Sequence, residues 1–111
     1  MSRINFVELP ASDLSTSTKF YSDAFGMSFT DFGPTYSCTM SGDVDLGLQA
    51  DPKETTTAPL AVIAVDDLDT AQAAVERAGG TITKPAFSFP GGRRFHFRDP
   101  AGNELAVLKA D

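Results

Sequence analysis

The sequence has few residues that could cross-link the fold through a disulfide bond or a metal, and few that carry positive charge. Its 111 residues include one cysteine, Cys38, and one histidine, His96. A single cysteine allows neither an intramolecular disulfide nor a cysteine-ligated zinc site, so we expect the hydrophobic core alone to hold the fold. Nine Lys and Arg stand against fifteen Asp and Glu, giving a net charge of −6. Phosphate backbones need clustered basic residues, so we expect no nucleic-acid partner.

Long hydrophobic runs are also missing. No run approaches the roughly 18 apolar residues that a membrane span needs, and the mean hydropathy is −0.11. The first ten residues have no apolar signal segment, so we expect a cytoplasmic protein without membrane association. What is present, 41% apolar residues including nine Phe, is enough for the core of one domain.

Hydrophobic periodicity and turn residues predict the same order of elements twice, namely a strand, a helix and three strands. In the first half these elements are predicted at 3–9, 14–25, 27–32, 36–40 and 44–49. In the second half they are predicted at 59–65, 68–78, 81–88, 93–98 and 103–108. We therefore predict one domain with modules at 1–50 and 58–111 and a polar connector at 50–58.

The two halves also match residue by residue near their helices. The matches, at a spacing of 54 (67 minus 13), are Asp13 with Asp67, Leu14 with Leu68 and Gly26 with Gly80. This self-similarity indicates an internal duplication.

The segment 91–109, GGRRFHFRDPAGNELAVLK, reads as a β-hairpin. Pro100 and Gly102 suit a tight turn between its two alternating strands. On the first strand Phe95 and Phe97 alternate with Arg94 and His96, so the only histidine lies on the polar face.

Three segments carry a resemblance to a known family: VELPASDLSTSTKFYSDAFGMSF, AVIAVDDLDTAQAAVERAGG and FRDPAGNEL. They are similar to the glyoxalase, bleomycin-resistance and extradiol-dioxygenase superfamily, also called vicinal oxygen chelate proteins, over nearly the whole chain. The resemblance implies an α+β fold of two βαβββ modules, whose mixed sheet curls into a cup with the helices outside. It also implies a small-molecule ligand in the cup and a homodimer.

Strand alternation would then divide the side chains between the helix layer and the cup. Tyr36, Cys38, Phe95 and Phe97 are expected against the helices, and Phe20, Tyr21 and Phe25 form a helix stripe expected in the core. The cup would be lined by Phe6, Glu8, Ser37, Thr39, Asp45, Gly47, Leu60, Val62, Arg94, His96, Glu104 and Ala106. Within that set we predict ligand contacts at Phe6, Glu8, Thr39, Gly47, Leu60, Arg94, His96 and Ala106.

The resemblance places the family's metal ligands at four positions of this chain. These positions hold Phe6, Gly47, Leu60 and Ala106, and none of these side chains can bind a cation. We therefore predict no metal and no other cofactor. A displaced site is the alternative, because Glu8, Asp45, Glu104 and His96 lie on the same predicted face.

Several residues have a structural interpretation beside the functional one. His96 can be a hydrogen-bonded sheet residue, a ligand contact or an acid–base group. Arg94 can bind an anion or pair with Glu8 or Glu104, and Glu8 is expected to be paired, protonated or solvated. Phe6 and Leu60 can line an aromatic ligand or fill the core, and Cys38 is expected to be a small buried hydrophobe.

We therefore predict a metal-independent small-molecule binding protein that resembles the bleomycin-resistance type, with no catalytic residue assigned. The alternative is an enzyme: a glyoxalase-like lyase, isomerase or dioxygenase with displaced ligands, or a metal-free enzyme that uses His96 and Glu8 as acid and base. A third interpretation is a regulatory or structural module without a ligand.

Overall fold

The computed structural model describes residues 2–111. Within these residues two helices and eight strands follow the predicted order. They are β1 Arg3–Pro10, α1 Leu14–Phe25, β2 Thr30–Asp31, β3 Tyr36–Cys38, β4 Asp45–Gln49, β5 Leu60–Ala64, α2 Leu68–Arg77, β6 Thr81–Phe89, β7 Gly92–Arg98 and β8 Glu104–Ala110. Neither helix is both long and apolar enough to cross a membrane.

The chain forms two compact units, an N-terminal unit of residues 6–60 and a C-terminal unit of residues 61–111 together with 2–5. In the N-terminal unit the strand order is β2-β3-β4-β1, and β1 runs parallel to β4. In the C-terminal unit the order is β5-β8-β7-β6, and β5 runs parallel to β8. All other neighbouring strands within each unit are antiparallel. The predicted α+β class with two βαβββ modules of mixed sheet is confirmed.

The core of the C-terminal unit lies between α2 and one face of its sheet. Leu68 of α2 packs with Phe95 and Phe97 of β7 and Val107 of β8, and all four are buried. Phe95 and Phe97 therefore face the helix, as the hairpin pattern predicts. Because side chains alternate along a strand, Arg94 and His96 are left on the opposite face.

The β7–β8 turn has the predicted geometry. The Asp99 carboxylate accepts hydrogen bonds from the backbone N–H groups of Ala101 and Asn103 and from the Asn103 side chain. Gly102 has φ +91°, a conformation that glycine adopts without steric cost. These contacts fix the hairpin register and, with it, the residues that lie beside His96.

Helix α1 has the predicted bounds, and Gly26 ends it with φ +70°. The prediction that its aromatic stripe lies in the core is wrong, because no residue of α1 is buried and Phe20 and Phe25 are 58% and 68% exposed. The rings instead pack on one another: Phe20 meets Tyr21 edge to face at 5.1 Å, and Tyr21 stacks on Phe25 at 6.4 Å. Periodicity shows that residues share a helix stripe, but not what covers that stripe.

The predicted faces of β3 are also wrong. Cys38 pairs with Gly47, which pairs in turn with Glu8, so Cys38 shares a face with Glu8. Ser37 lies on the other face, fully buried, with its hydroxyl donating to the Asp31 carboxylate. This hydrogen bond allows a serine to be buried on the face where apolar residues are expected. In addition, a strand of three residues is too short for its hydrophobic pattern to determine which side chains face the helix.

Candidate functional site

The most distinctive polar group of the C-terminal unit lies on the sheet face opposite α2. Antiparallel pairing places His96 of β7 opposite Ala106 of β8, and Lys84 of β6 opposite His96. Phe87 of β6 lies opposite Arg94. We call this surface the His96 face, formed by Lys84, Phe87, Arg94, His96, Glu104 and Ala106.

His96 is buried, with 2% of its surface exposed. Its Nδ1 lies 3.0 Å from Oε2 of Glu104, a residue whose side chain is 26% exposed. The Thr83 hydroxyl lies 3.4 Å from the same carboxylate oxygen. The second ring nitrogen, Nε2, is also buried and has no hydrogen-bond partner among residues 2–111. The imidazole is thus held at one nitrogen and unsatisfied at the other.

Burial lowers the pKa of His96 below its ordinary value of 6.5, because the charged form loses its hydration. The hydrogen bond that His96 donates to the Glu104 carboxylate acts in the opposite direction, and the Arg94 and Lys84 cations lower the pKa further. The net effect is a lowered pKa, so His96 is neutral at pH 7.

Two cations and the ring of Phe87 lie near the imidazole on the His96 face, and Phe89 lies beside Arg94. The Arg94 Cζ lies 5.4 Å from the ring centre of Phe87 and 5.7 Å from that of Phe89, and the Lys84 Nζ lies 4.7 Å from that of Phe87. The Phe87 ring centre is 6.0 Å from that of His96. These distances allow cation–π attraction, which orders the long cationic side chains over apolar surface.

The C-terminal position that the resemblance assigns to a metal ligand holds a methyl group. Ala106 is fully buried and pairs with both His96 and Val62. Leu60, the first residue of β5, is 1% exposed and likewise offers only apolar atoms. These two residues provide packing and no donor for a cation.

In the N-terminal unit the corresponding two positions lie against each other. The Phe6 ring and the Tyr36 hydroxyl occupy the space that a Cβ atom at Gly47 would take. A side chain at position 47 would therefore displace the Phe6 ring and the Tyr36 hydroxyl, and the aromatic ring of Phe6 fills the place of a side chain there. Glu8, beside Gly47 in the register, is 2% exposed in the middle of β1.

Thr39 and Asp45 form part of a turn. The Asp45 carboxylate accepts hydrogen bonds from the Thr39 hydroxyl at 2.7 Å and from the backbone N–H groups of Ser41 and Gly42. The Thr39 hydroxyl also accepts from the N–H of Leu46. Asp45 is thus used by the chain itself, which argues against the displaced metal site that would include it.

A metal does not fit the side chains that the structure places together. In residues 2–111 no group of three or more His, Cys, Asp or Glu side chains is arranged to share a metal ion.

Cys38 is a free, buried thiol with Sγ 3.7 Å from the Met40 sulfur, and burial, with the Asp45 charge, raises its pKa. Cys38 is therefore buried as expected, although on the other face of β3.

Among the residues predicted as ligand contacts, Arg94, His96 and Ala106 lie together in the C-terminal unit, and Phe6, Glu8 and Gly47 lie together in the N-terminal unit. Their ligand roles stay predictions. The ligand-contact prediction omitted Lys84 and Phe87, which β6 places beside His96 and Arg94, and Glu104, which contacts the ring. The turn length sets which residues of β7 and β8 lie opposite each other. The contact between Glu104 and its diagonal neighbour His96 was therefore predictable from the sequence.

Known proteins resemble this chain in sequence and in fold. The family model described as Glyoxalase/Bleomycin resistance protein/Dioxygenase superfamily matches residues 3–107. The curated protein named "Putative glyoxylase CFP32", from Mycobacterium bovis and Mycobacterium tuberculosis, is 30% identical over 118 aligned positions, which cover 96% of this chain. The chain spans only 45% of the length of that relative.

Solved structures show the same fold. A superfamily member from Vibrio splendidus superposes with a TM-score of 0.73 at 16% identity, covering 98% of this chain and 99% of the other. The Mn(II)-bound glyoxalase from Novosphingobium aromaticivorans superposes with a TM-score of 0.70 at 21% identity, covering 98% of this chain and 40% of that one. With a family model matched over nearly all of its residues and the βαβββ topology present twice, the chain belongs to the glyoxalase/bleomycin resistance protein/dioxygenase superfamily.

Proposed function

We propose that this protein binds a small organic molecule at the His96 face without the help of a metal, and holds the molecule without transforming it. The observation that supports this proposal is the buried imidazole of His96, whose Nε2 has no hydrogen-bond partner in the described chain. A buried polar atom left without a partner costs about 1–3 kcal/mol. A ligand that donates a hydrogen bond to Nε2 recovers part of that cost on binding.

The surroundings of His96 suit a ligand that is partly apolar. The half-buried ring of Phe87 and the methyl group of Ala106 provide apolar surface, while Arg94 and Lys84 provide polar groups at its edge. This mixture of apolar lining with a few polar groups is typical of small-molecule sites. Because Nε2 is buried, binding requires the side chains that cover it to shift.

A thermal-shift screen of antibiotics and aromatic metabolites tests this proposal. A ligand at 100 times its Kd should add about 2.7 kcal/mol to the apparent stability of the protein. His96→Phe keeps a ring but removes the acceptor, so it should abolish the shift, whereas Arg93→Ala, an exposed position on the same strand, should leave it unchanged. No stabilising compound, or equal shifts in the His96→Phe variant, would contradict the proposal.

A second candidate is an acid–base enzyme, and the contact between Glu104 and Nδ1 of His96 favours it. A carboxylate on one ring nitrogen orients the other nitrogen and raises its basicity, as a general base requires. The curated relative carries the name "Putative glyoxylase CFP32". Chemical analysis of the samples from the thermal-shift screen distinguishes the two functions. A compound that is recovered unchanged after incubation with the protein indicates binding. A product that is formed by the wild type but not by His96→Phe indicates catalysis.

We also propose that the protein is a homodimer, as the resemblance implies. The exposed rings of Phe20 and Phe25 on α1 support self-association, because apolar side chains grouped at a surface are typical of contact sites. The N-terminal unit would provide this contact through its helix.

A further inference from the structure

The contact between His96 and Glu104 determines which ring nitrogen carries the proton. The two atoms, Nδ1 and Oε2, are 3.0 Å apart, which is a hydrogen-bond distance. An ionised carboxylate can only accept hydrogen bonds, so the proton between these atoms belongs to Nδ1. The Thr83 hydroxyl, 3.4 Å from the same oxygen, donates a second hydrogen bond to the carboxylate.

A neutral imidazole carries a single proton, so its second nitrogen keeps a lone pair. In this protein that nitrogen is Nε2, which is buried and has no hydrogen-bond partner within residues 2–111. It can accept a hydrogen bond but cannot donate one. The Arg94 and Lys84 cations on the same face oppose the second protonation that would turn Nε2 into a donor.

We infer that Glu104 is a positioning residue that fixes the tautomer of His96 and thereby sets the ligand specificity of the His96 face. The face selects molecules that present an O–H or N–H group over matched molecules that present only acceptors. This inference rests on the proposed binding function and names the class of ligand that the site takes.

The selection arises because placing an acceptor atom of the ligand against Nε2, which is also an acceptor, is energetically unfavourable. A ligand oxygen without a proton would place its lone pair against that of Nε2, and both atoms would lose hydration without forming a hydrogen bond. Sites built around one hydrogen bond reject analogues that lack it more strongly than they reject a missing methylene. We expect at least about a tenfold preference for the donor-bearing molecule, which corresponds to about 1.4 kcal/mol.

Nuclear magnetic resonance of the free protein tests the role of Glu104. Because the chain has one histidine, its imidazole gives one set of nitrogen signals. Long-range proton–nitrogen correlation should show a protonated Nδ1 and an unprotonated Nε2 in the wild type. Glu104→Leu should shift the proton partly or fully to Nε2, whereas Glu76→Gln, which removes a carboxylate from the exposed surface of α2, should not. Protonated Nε2 in the wild type, or the same tautomer in Glu104→Leu, would overturn the inference.

Binding of matched probes tests the specificity. Phenol and its methyl ether anisole differ in the donor, as do indole and 1-methylindole, and their Kd values are measured from the shift of the His96 signals. In the wild type we expect phenol and indole to bind at least about tenfold more tightly than their methylated partners. In Glu104→Leu we expect that ratio to fall toward one, even if both affinities change. A purely structural role of Glu104 would instead weaken both members of a pair alike and leave the ratio unchanged.

The two experiments separate this inference from the proposed function. Equal affinities within each pair in the wild type would overturn the specificity while leaving small-molecule binding in place. If neither probe pair nor the screening library bound, the proposed function and the specificity would both fail, whereas the tautomer measured in the free protein would still decide whether Glu104 positions His96.

Discussion

The two ring nitrogens of His96 have opposite environments, and that difference is the main chemical feature of the site. Nδ1 contacts a carboxylate that is partly open to solvent, and Nε2 lies in the interior with no partner in the part of the chain that the structure describes. A buried polar atom without a partner lowers stability, so its presence calls for a compensating role. Ligand binding at Nε2 would supply that role.

We predict that the free energy of unfolding depends on the protonation of this single residue, His96. The folded protein has a lower pKa at His96 than the value of 6.5 expected for the unfolded chain. As the pH falls below about 6.5, the unfolded chain takes up a proton that the folded protein does not, so the free energy of unfolding decreases. The largest slope for one proton is about 1.4 kcal/mol per pH unit.

Urea unfolding of the wild type and of His96→Phe between pH 7.5 and 5.5 checks this prediction. The midpoint of the wild type should fall with pH, and that of the variant should stay nearly constant, since the Asp residues with lowered pKa titrate below 3.8. Parallel curves for the two proteins would show that His96 is not responsible.

Sequence reasoning identified His96 and Arg94 as polar residues on one strand face, because alternation requires only local information. It could not identify the partners of His96. Lys84 and Phe87 are three residues apart, an odd spacing that places them on opposite faces of a regular strand. They share a face because β6 is irregular between Lys84 and Phe87, and a further irregularity lies between Ile82 and Lys84. Each irregularity adds one residue to β6, as a β-bulge does, and such bulges are hard to predict from alternation alone.

The two helices show how residues at equivalent positions of the two halves can act differently. Asp67 caps α2 by accepting a hydrogen bond from the N–H of Thr70. Its counterpart Asp13 makes no such bond to the backbone of α1, and accepts instead from the hydroxyls of Ser15 and Thr16. The helices are predicted to begin at residues 14 and 68, directly after these two aspartates, but the cap itself depends on side-chain rotamers that the sequence does not specify.

We therefore predict that Asp67→Ala lowers the melting temperature by more than Asp13→Ala does. Removal of Asp67 leaves a helix N–H without its acceptor, whereas removal of Asp13 frees only exposed hydroxyls that water can satisfy. Calorimetry of the two single variants at pH 7 measures the difference. An equal fall in both melting temperatures would show that Asp13 also supports its helix.

The two units share one topology, but their interiors have diverged. The N-terminal unit fills the space beside Gly47 with the Phe6 ring, and the C-terminal unit places a buried imidazole opposite Ala106. The repeated order of elements could be predicted because strand and helix periodicities are local. The exposure of α1 could not, because it depends on what the helix packs against.

For the whole molecule we predict a dimer that depends on the exposed rings of α1. Light scattering after size exclusion should give twice the chain mass of 11.8 kDa for the wild type. The Phe20→Ser/Phe25→Ser variant should elute as a monomer with unchanged circular dichroism, because both side chains are already largely exposed within the chain. A wild type that is monomeric at every concentration would refute the proposal.

The bulges of β6 have a consequence for how this protein could evolve. Loss of the bulge between Lys84 and Phe87 without loss of a residue would restore regular alternation across their three-residue spacing and turn one of the two side chains away from His96. Changes in where this edge strand bulges, rather than substitutions in the buried strands, would then exchange the groups around the imidazole while the core of Phe95, Phe97 and Val107 stays intact. Variation in the bulges of this strand is therefore a route by which descendants of one fold could acquire different ligands.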